Sequence, residues 1–281
     1  MADKPTIYEP DNSIRQGYFS TFGEISVEFI KNRWLMTQLF KREFFSMYRQ
    51  SFVGVFWAFI MPLISVSTFI ILNRAGIFAV GDMTVPYPLF AITGIAFWQL
   101  FSSGINGCSN ALVKAESMLT KINFSKKSLV ISSVGQAVVS FGVQILLALA
   151  LYGYYHIVPS WVLLLLPLLA LPILILSVGV GLILSLLNGI LRDIGNMMTV
   201  FLSFIMFLTP ILYVRPASGF LATFTHYNIL YYLTSLPRDF ILTGKMSSGL
   251  DFLIATIIAV IVFIICLFAF HLTETRVAER I

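Results

Sequence analysis

The sequence predicts an all-α integral membrane protein with six transmembrane helices. Of its 281 residues 58% are hydrophobic and only 11% are charged, with a mean hydropathy of +0.90. Soluble domains carry about 25% charged residues. The apolar residues also gather into six stretches near the ~20 residues that a helix needs to cross a bilayer. These lie at 52–73, 88–113, 128–156, 161–188, 197–214 and 250–271, the fifth being short.

Residues 1–20 read as a polar cytosolic tail. From 21 to 51 a helical pattern takes over. Ile25, Phe29, Met36, Phe40 and Met47 form one stripe, with Glu24, Glu28, Lys31, Gln38 and Arg42 away from it. Such a helix lies at the lipid interface, or acts as a gate where a charged, lipid-linked substrate enters. It runs straight into the first span through KREFFSMYRQSFVGVFWAFIMPL at 41–63.

Lysine and arginine set the orientation. Lys4, Arg15, Lys31, Arg33, Lys41, Arg42, Arg49, Lys114, Lys121, Lys126, Lys127, Arg192, Arg276 and Arg280 fall on one side. Only Arg74, Arg215, Arg238 and Lys245 fall on the other. The positive-inside rule then makes both termini cytoplasmic, with 272–281 as a second cytosolic tail. The net charge of +5 is accounted for in this way, and no nucleic acid partner is expected.

No Asp, Glu, Lys or Arg lies in the interior of a span, which disfavours transport driven by an ion gradient. Gln136 and Gln144 read as interhelical hydrogen-bond partners, and Ser177, Gly181 and Ser185 as a close-packing stripe. Cys108 and Cys266 both lie in apolar stretches and the three histidines are scattered, so neither a disulfide nor a metal site is expected. The polar first fifty residues contain no secretory leader. There is no phosphate loop, since Gly244-Lys245 lacks the upstream glycine and the following Ser/Thr. ATP, if used, must be hydrolysed elsewhere, and no cofactor is expected on this chain. No catalytic residues are assigned; an enzyme would have to use Arg215, His226, Arg238 and Asp239, as in a lipid-linked sugar transferase.

Three loops stand out. In 114–127, Ala115, Leu119 and Ile122 share the face of a short helix, which either sets topology or docks on a soluble partner. Asn188-Gly189-Ile190-Leu191-Arg192-Asp193 follows the fourth span. In 215–245, Phe220, Phe224, Tyr227 and Tyr231 fall on one helical face, and Pro237 is expected to set off a second piece from Arg238 to Gly244. Two short helices that dip into the outer leaflet and return would keep their backbone groups bonded; an interfacial aromatic belt is the other reading. Aromatics make up 15% of the chain. Rings stack on the apolar faces of sugars, and the residues able to line a conduit are Phe52, Phe56, Trp57 and Phe59 with Phe201, Phe204 and Phe207.

Several of these segments resemble a known family. YRQS-x-x-G-x-x-W at 48–57, MLTKINFSKKSLV at 118–130, Asn188-x-x-x-Arg192-Asp193 and LTSLPRDFILTG at 233–244 are similar to ABC-2 type permeases that export polysaccharides. The resemblance runs in order over nearly all of 25–271; Leu191 departs from it, standing where a Tyr or Phe usually precedes the arginine. It implies a six-span permease domain at 52–271 preceded by a gate helix, acting as a homodimer with two copies of an ABC ATP-binding subunit that holds ATP and magnesium. The cargo would be lipid-linked polysaccharide (O-antigen, or capsule or teichoic polymer) crossing a bacterial inner membrane. The substrate would enter at Lys41, Arg42, Phe44, Phe45, Tyr48 and Arg49 and pass the conduit aromatics. It would leave by an outer gate of Phe220, Phe224, Tyr227 and Tyr231. Leu119, Lys121, Ile122, Phe124, Arg192 and Asp193 would couple to the ATPase. An exporter of a small lipophile or drug and a membrane sugar transferase are the alternative readings.

Overall fold

In the computed structural model the described residues are 31–45, 52–76, 85–119 and 125–278, and every regular element among them is helical. Helix α1 covers 31–45. A single 3₁₀ turn, Gly54–Phe56, leads into α2, Trp57–Arg74. Then come α3 (Tyr87–Lys114), the single turn α4 (Glu116–Leu119), α5 (Lys126–Ser132) and α6 (Gly135–Tyr154). A 3₁₀ segment, Trp161–Leu165, opens α7 (Leu166–Ile190), which is followed by α8 (Asp193–Leu208). Two shorter helices, α9 (Phe220–Tyr227) and α10 (Ile229–Thr243), precede α11 (Gly249–Ala278).

Five helical segments are long and apolar enough to cross a membrane: Trp57–Arg74, Tyr87–Lys114, Lys126–Tyr154, Trp161–Ile190 and Gly249–Thr273. Helix α8 has 16 residues, about 24 Å against the ~30 Å of a hydrocarbon core. It starts and ends earlier than the expected span at 197–214. Asp193 suits a helix start, where negative charge meets the positive end of the dipole. At the other end Pro210 pushes Thr209 to φ −97°, ψ 130° and stops the helix.

The bundle is built around α3. It packs on α7 and α6, and α7 packs in turn on α11. Small residues bring the axes close. A Cβ added to Gly104 would lie 2.7 Å from Ser177 Oγ, one on Gly179 would lie 2.7 Å from the Phe263 Cα, and one on Gly181 would run into the Cys108 Cβ. Ser177 and Gly181 of the expected stripe thus face α3, Ser185 is buried and bonds within α7, and Gln144 donates to Gln99 Oε1 at 2.7 Å. The core combines Leu89, Ile92, Ile95, Phe97, Ile173 and Leu233.

Two expectations fail near the C-terminus. Pro237 does not divide the segment, because α10 runs through it to Thr243. The break falls at Asn228, whose Oδ1 caps α10 by accepting from Leu230 N at 3.0 Å. Gly244, at φ +72°, closes α10 with a left-handed turn that glycine adopts without strain. The last helix also continues beyond 271 into what was expected to be tail.

The Gly179 contact is backbone against backbone and cannot be relieved by a rotamer change. Gly179→Ala should lower the thermal midpoint of the purified protein, at a cost of about 1–3 kcal/mol. Gly142→Ala, whose Cβ meets nothing within 4 Å, should leave the midpoint unchanged or slightly raised.

Candidate functional site

The side chains singled out in the sequence lie at the two ends of α3 and along two exposed helix faces. At the end carrying α4, α1 is seated in the bundle by Leu35, Leu39 and Phe40; of the expected stripe Phe40 takes part, while Ile25, Phe29 and Met47 lie outside the described residues. Leu39 is buried in a cluster with Leu112, Ala115 and Leu129, and the Phe40 ring touches the Gly135 position. Ionic contacts join α3 to α1 and α4 to the start of α8. Lys114 Nζ lies 3.3 Å from Glu43 Oε1 and Arg192 Nη2 lies 3.0 Å from Glu116 Oε2. Arg42 Nη1 reaches Met118 Sδ, a weak acceptor, at 2.9 Å. The rings of Phe40, Phe44 and Phe45 run on along α1 at centroid separations of 5.8 and 5.6 Å. Lys41 and Phe45 are exposed, while Phe44 is half-buried. Of the remaining residues expected here, Tyr48, Arg49, Lys121, Ile122 and Phe124 lie outside the described residues, and Leu119 ends α4.

Along α2 and α8 the expected conduit residues are mostly turned out of the bundle. Phe52, Phe56 and Trp57 are exposed and Phe59 is half-buried. On α8, Phe201, Phe204 and Phe207 are all exposed and occupy one broad face. Each helix leans on the core rather than on the other, α2 on α3 and α6, α8 on α3 and α7. The structure presents two aromatic faces, not a closed tube.

At the opposite end of α3 the chain turns back beneath α10. Arg238 is 2% exposed. Its Nη1 donates to the carbonyls of Pro210 at 3.0 Å and Ile211 at 2.6 Å. Its Nε donates to Asp239 Oδ1 at 2.8 Å, and its guanidinium carbon sits 3.8 Å from the Phe90 ring centroid. Ser235 Oγ donates to the Pro210 carbonyl at 2.9 Å, and Asn228 Nδ2 to Thr209 Oγ1 at 2.8 Å. A Cβ on Gly94 would lie 2.5 Å from the Ile211 carbonyl oxygen, so only glycine leaves room for this turn. The expected outer group divides at Asn228. Phe220 and Phe224 stack 6.2 Å apart on α9 beside exposed Tyr227. Tyr231 is buried on α10 with the Arg215 guanidinium 5.4 Å from its ring centroid.

Two basic residues expected on polar surfaces are therefore structural. Arg238 is committed to backbone carbonyls and does not join His226 in a catalytic group. Lys127, counted as a loop cation, is 2% exposed, with its Nζ 2.8 Å from His271 Nδ1 on α11. Residue type could not place either one; only Arg238's position just after a proline hinted at a special environment. The burial of Asn188 and its bonds to α3 and α8 were also missed, although the residue begins a segment singled out by its pattern. Among the described residues no group of three or more His, Cys, Asp or Glu could hold a metal ion.

Residues 35–242 match the sequence pattern of the ABC-2 type transporter family. The chain is 29% identical over 191 residues to the O-antigen export system permease protein RfbA of Myxococcus xanthus, covering 66% of this chain and 70% of that relative. It is 27% identical over 169 residues to a protein of the same name from Klebsiella pneumoniae, covering 59% of this chain and 63% of that one.

Removing the guanidinium at 238 strands two buried carbonyls. Arg238→Ala should destabilise the fold by about 3 kcal/mol, read as a lower thermal midpoint in detergent, with Arg238→Lys intermediate. An unchanged midpoint in Arg238→Ala would show that the turn is held by other contacts.

Proposed function

Since the chain belongs to the ABC-2 type transporter family, we propose that it is the membrane subunit of an ATP-driven exporter of lipid-linked polysaccharide in a bacterial inner membrane. The cargo class follows the relatives, both of which are named as O-antigen export permeases. Within the structure the reading rests on one observation, the exposed aromatic face of α8, Phe201–Phe204–Phe207, accompanied by Phe52, Phe56 and Trp57 at the start of α2. A bare lipid-facing helix needs only aliphatic side chains. Aromatic faces offer a polymer a succession of equivalent stacking sites and bind no single unit tightly.

In this reading two copies of the chain bring their α2 and α8 faces toward one conduit. Helix α8 serves as the short fifth of six spans, and both termini are cytoplasmic. Two copies of an ABC ATP-binding subunit, carrying ATP and magnesium, dock at the α4 end on Leu119, Lys121, Ile122, Phe124, Arg192 and Asp193. Helix α1 forms the gate at the same end. Lys41, Arg42 and Arg49 receive the lipid-phosphate head there, as guanidinium and ammonium groups do for phosphate. Phe44, Phe45 and Tyr48 lie against the lipid chain. Helices α9 and α10 act as re-entrant elements at the outer surface, with Phe220, Phe224 and Tyr227 at the exit. Tyr231 anchors the pair from below.

Deleting the gene should leave cells without surface polysaccharide and with long lipid-linked glycan retained on the cytosolic side. Unchanged surface glycan would remove polysaccharide as the cargo, and short or unligated glycan beyond the inner membrane would point to an enzyme. Complementation with Phe204→Ala should restore the protein to normal membrane levels while lowering export about threefold.

A further inference from the structure

We infer that Asn188 is a positioning residue for transport, the joint that makes the pathway helix α8 follow α3 at the end where the ATPase docks. The inference rests on the exporter reading above. Asn188 closes the last turn of α7 and is 1% exposed. Its Nδ2 donates to the Ser109 carbonyl and to Asn110 Oδ1, both at 3.1 Å and both on α3. Its Oδ1 accepts from Gly195 N at 2.8 Å. Gly195 is the third residue of α8, where a backbone N–H has no partner inside the helix. Arg192, the residue just before α8, makes no side-chain cap. The cap is supplied from the preceding helix, so one carboxamide joins α7, α3 and α8.

The joint matters because little else fixes the start of α8. Only Gly195 and Leu202 are buried along its length. Thr199 Oγ1 adds a long bond of 3.4 Å to Asn106 Oδ1. The Arg192–Glu116 pair, with side chains 72% and 39% exposed, contributes little in water. Gly195 is part of the fit, since a Cβ there would lie 2.8 Å from Asn110 Oδ1 and 3.1 Å from Asn188 Nδ2. A displacement imposed on α4 and the end of α3 therefore reaches α8 through a buried, fully directed contact. At its far end α8 meets the turn that Asn228 and Arg238 secure, so the helix is clamped at both ends while its aromatic face stays bare.

The test uses the full complex with its ATP-binding subunit in proteoliposomes, supplied with lipid-linked polysaccharide extracted from the deletion strain. Both ATP hydrolysis and polymer moved are measured. Asn188→Ala should hydrolyse ATP near the wild-type rate and move about tenfold less polymer per ATP. A residue that only stabilises the fold would lower both together and leave their ratio alone. A covalent substitute checks the geometry. With Cys108 and Cys266 replaced by alanine, Asn110→Cys and Gly195→Cys are added to Asn188→Ala. A Cβ at 195 would lie 2.8 Å from Asn110 Oδ1, so the two side chains point at one another, and a mass shift on reduction verifies that the bond has formed. Oxidation should restore the wild-type ratio and reduction should abolish it again.

A wild-type ratio in Asn188→Ala, or no recovery in the oxidised variant, overturns the inference. If Asn188→Ala does not assemble, Asn188→Asp, which keeps the acceptor for Gly195 N and loses both donors to α3, takes its place in the same assay, and a wild-type ratio there overturns the inference. If the wild-type complex moves no polymer at all, the exporter reading fails instead.

Discussion

A helix that stops within an apolar slab exposes carbonyl groups that no water can reach. The 16-residue α8 ends at Leu208, where Tyr213 OH donates to the Phe207 carbonyl; in the turn that follows, the buried guanidinium of Arg238 takes the carbonyls of Pro210 and Ile211. Much of the α9 end depends on that contact. It needs α10 to run unbroken through Pro237, so that Arg238 points back at the turn. It needs Phe90 on α3 as a flat surface beneath the charge and Gly94 to admit the Ile211 carbonyl. The charge is tolerated because its donors are occupied and Asp239 lies alongside.

The helical class and the positions of five long apolar helices were legible because a span announces itself by length and composition alone. The small-residue stripe on α7 was legible for a related reason, since close packing leaves a pattern at fixed spacing. What could not be read was the fate of individual polar residues. Arg238 and Lys127 look like surface cations in sequence, and their burial depends on carbonyls and a ring nitrogen contributed by distant segments. The break at Asn228 was missed because Pro237 is the stronger local signal. An asparagine cap competes with it only once α10 is packed. Of the expected site residues, the three phenylalanines of α8 share a face, whereas Tyr231 parts from the α9 aromatics because a helix boundary interrupts their period.

The α4 end combines two kinds of contact that differ in strength. The pairs Glu43–Lys114 and Arg192–Glu116 are solvent-facing and screened by salt, so they can part and re-form at little cost. Leu39 and Asn188 are buried, and their contacts hold. Helices joined firmly below the surface and loosely upon it can shift together while their outer charges exchange partners.

Helix α3 is the least apolar of the five long helices and also the most deeply buried. This inverts the demand that a bilayer makes on a segment arriving alone. During synthesis α3 leaves the ribosome before α6, α7 and α11 exist to cover it. Gln99, Ser109 and Asn110 then face lipid or the insertion machinery until those partners follow. The helix on which the finished bundle is centred is thus the one least able to hold its own place early. Its retention in the membrane becomes a property of the whole chain, secured only when α7 has been made.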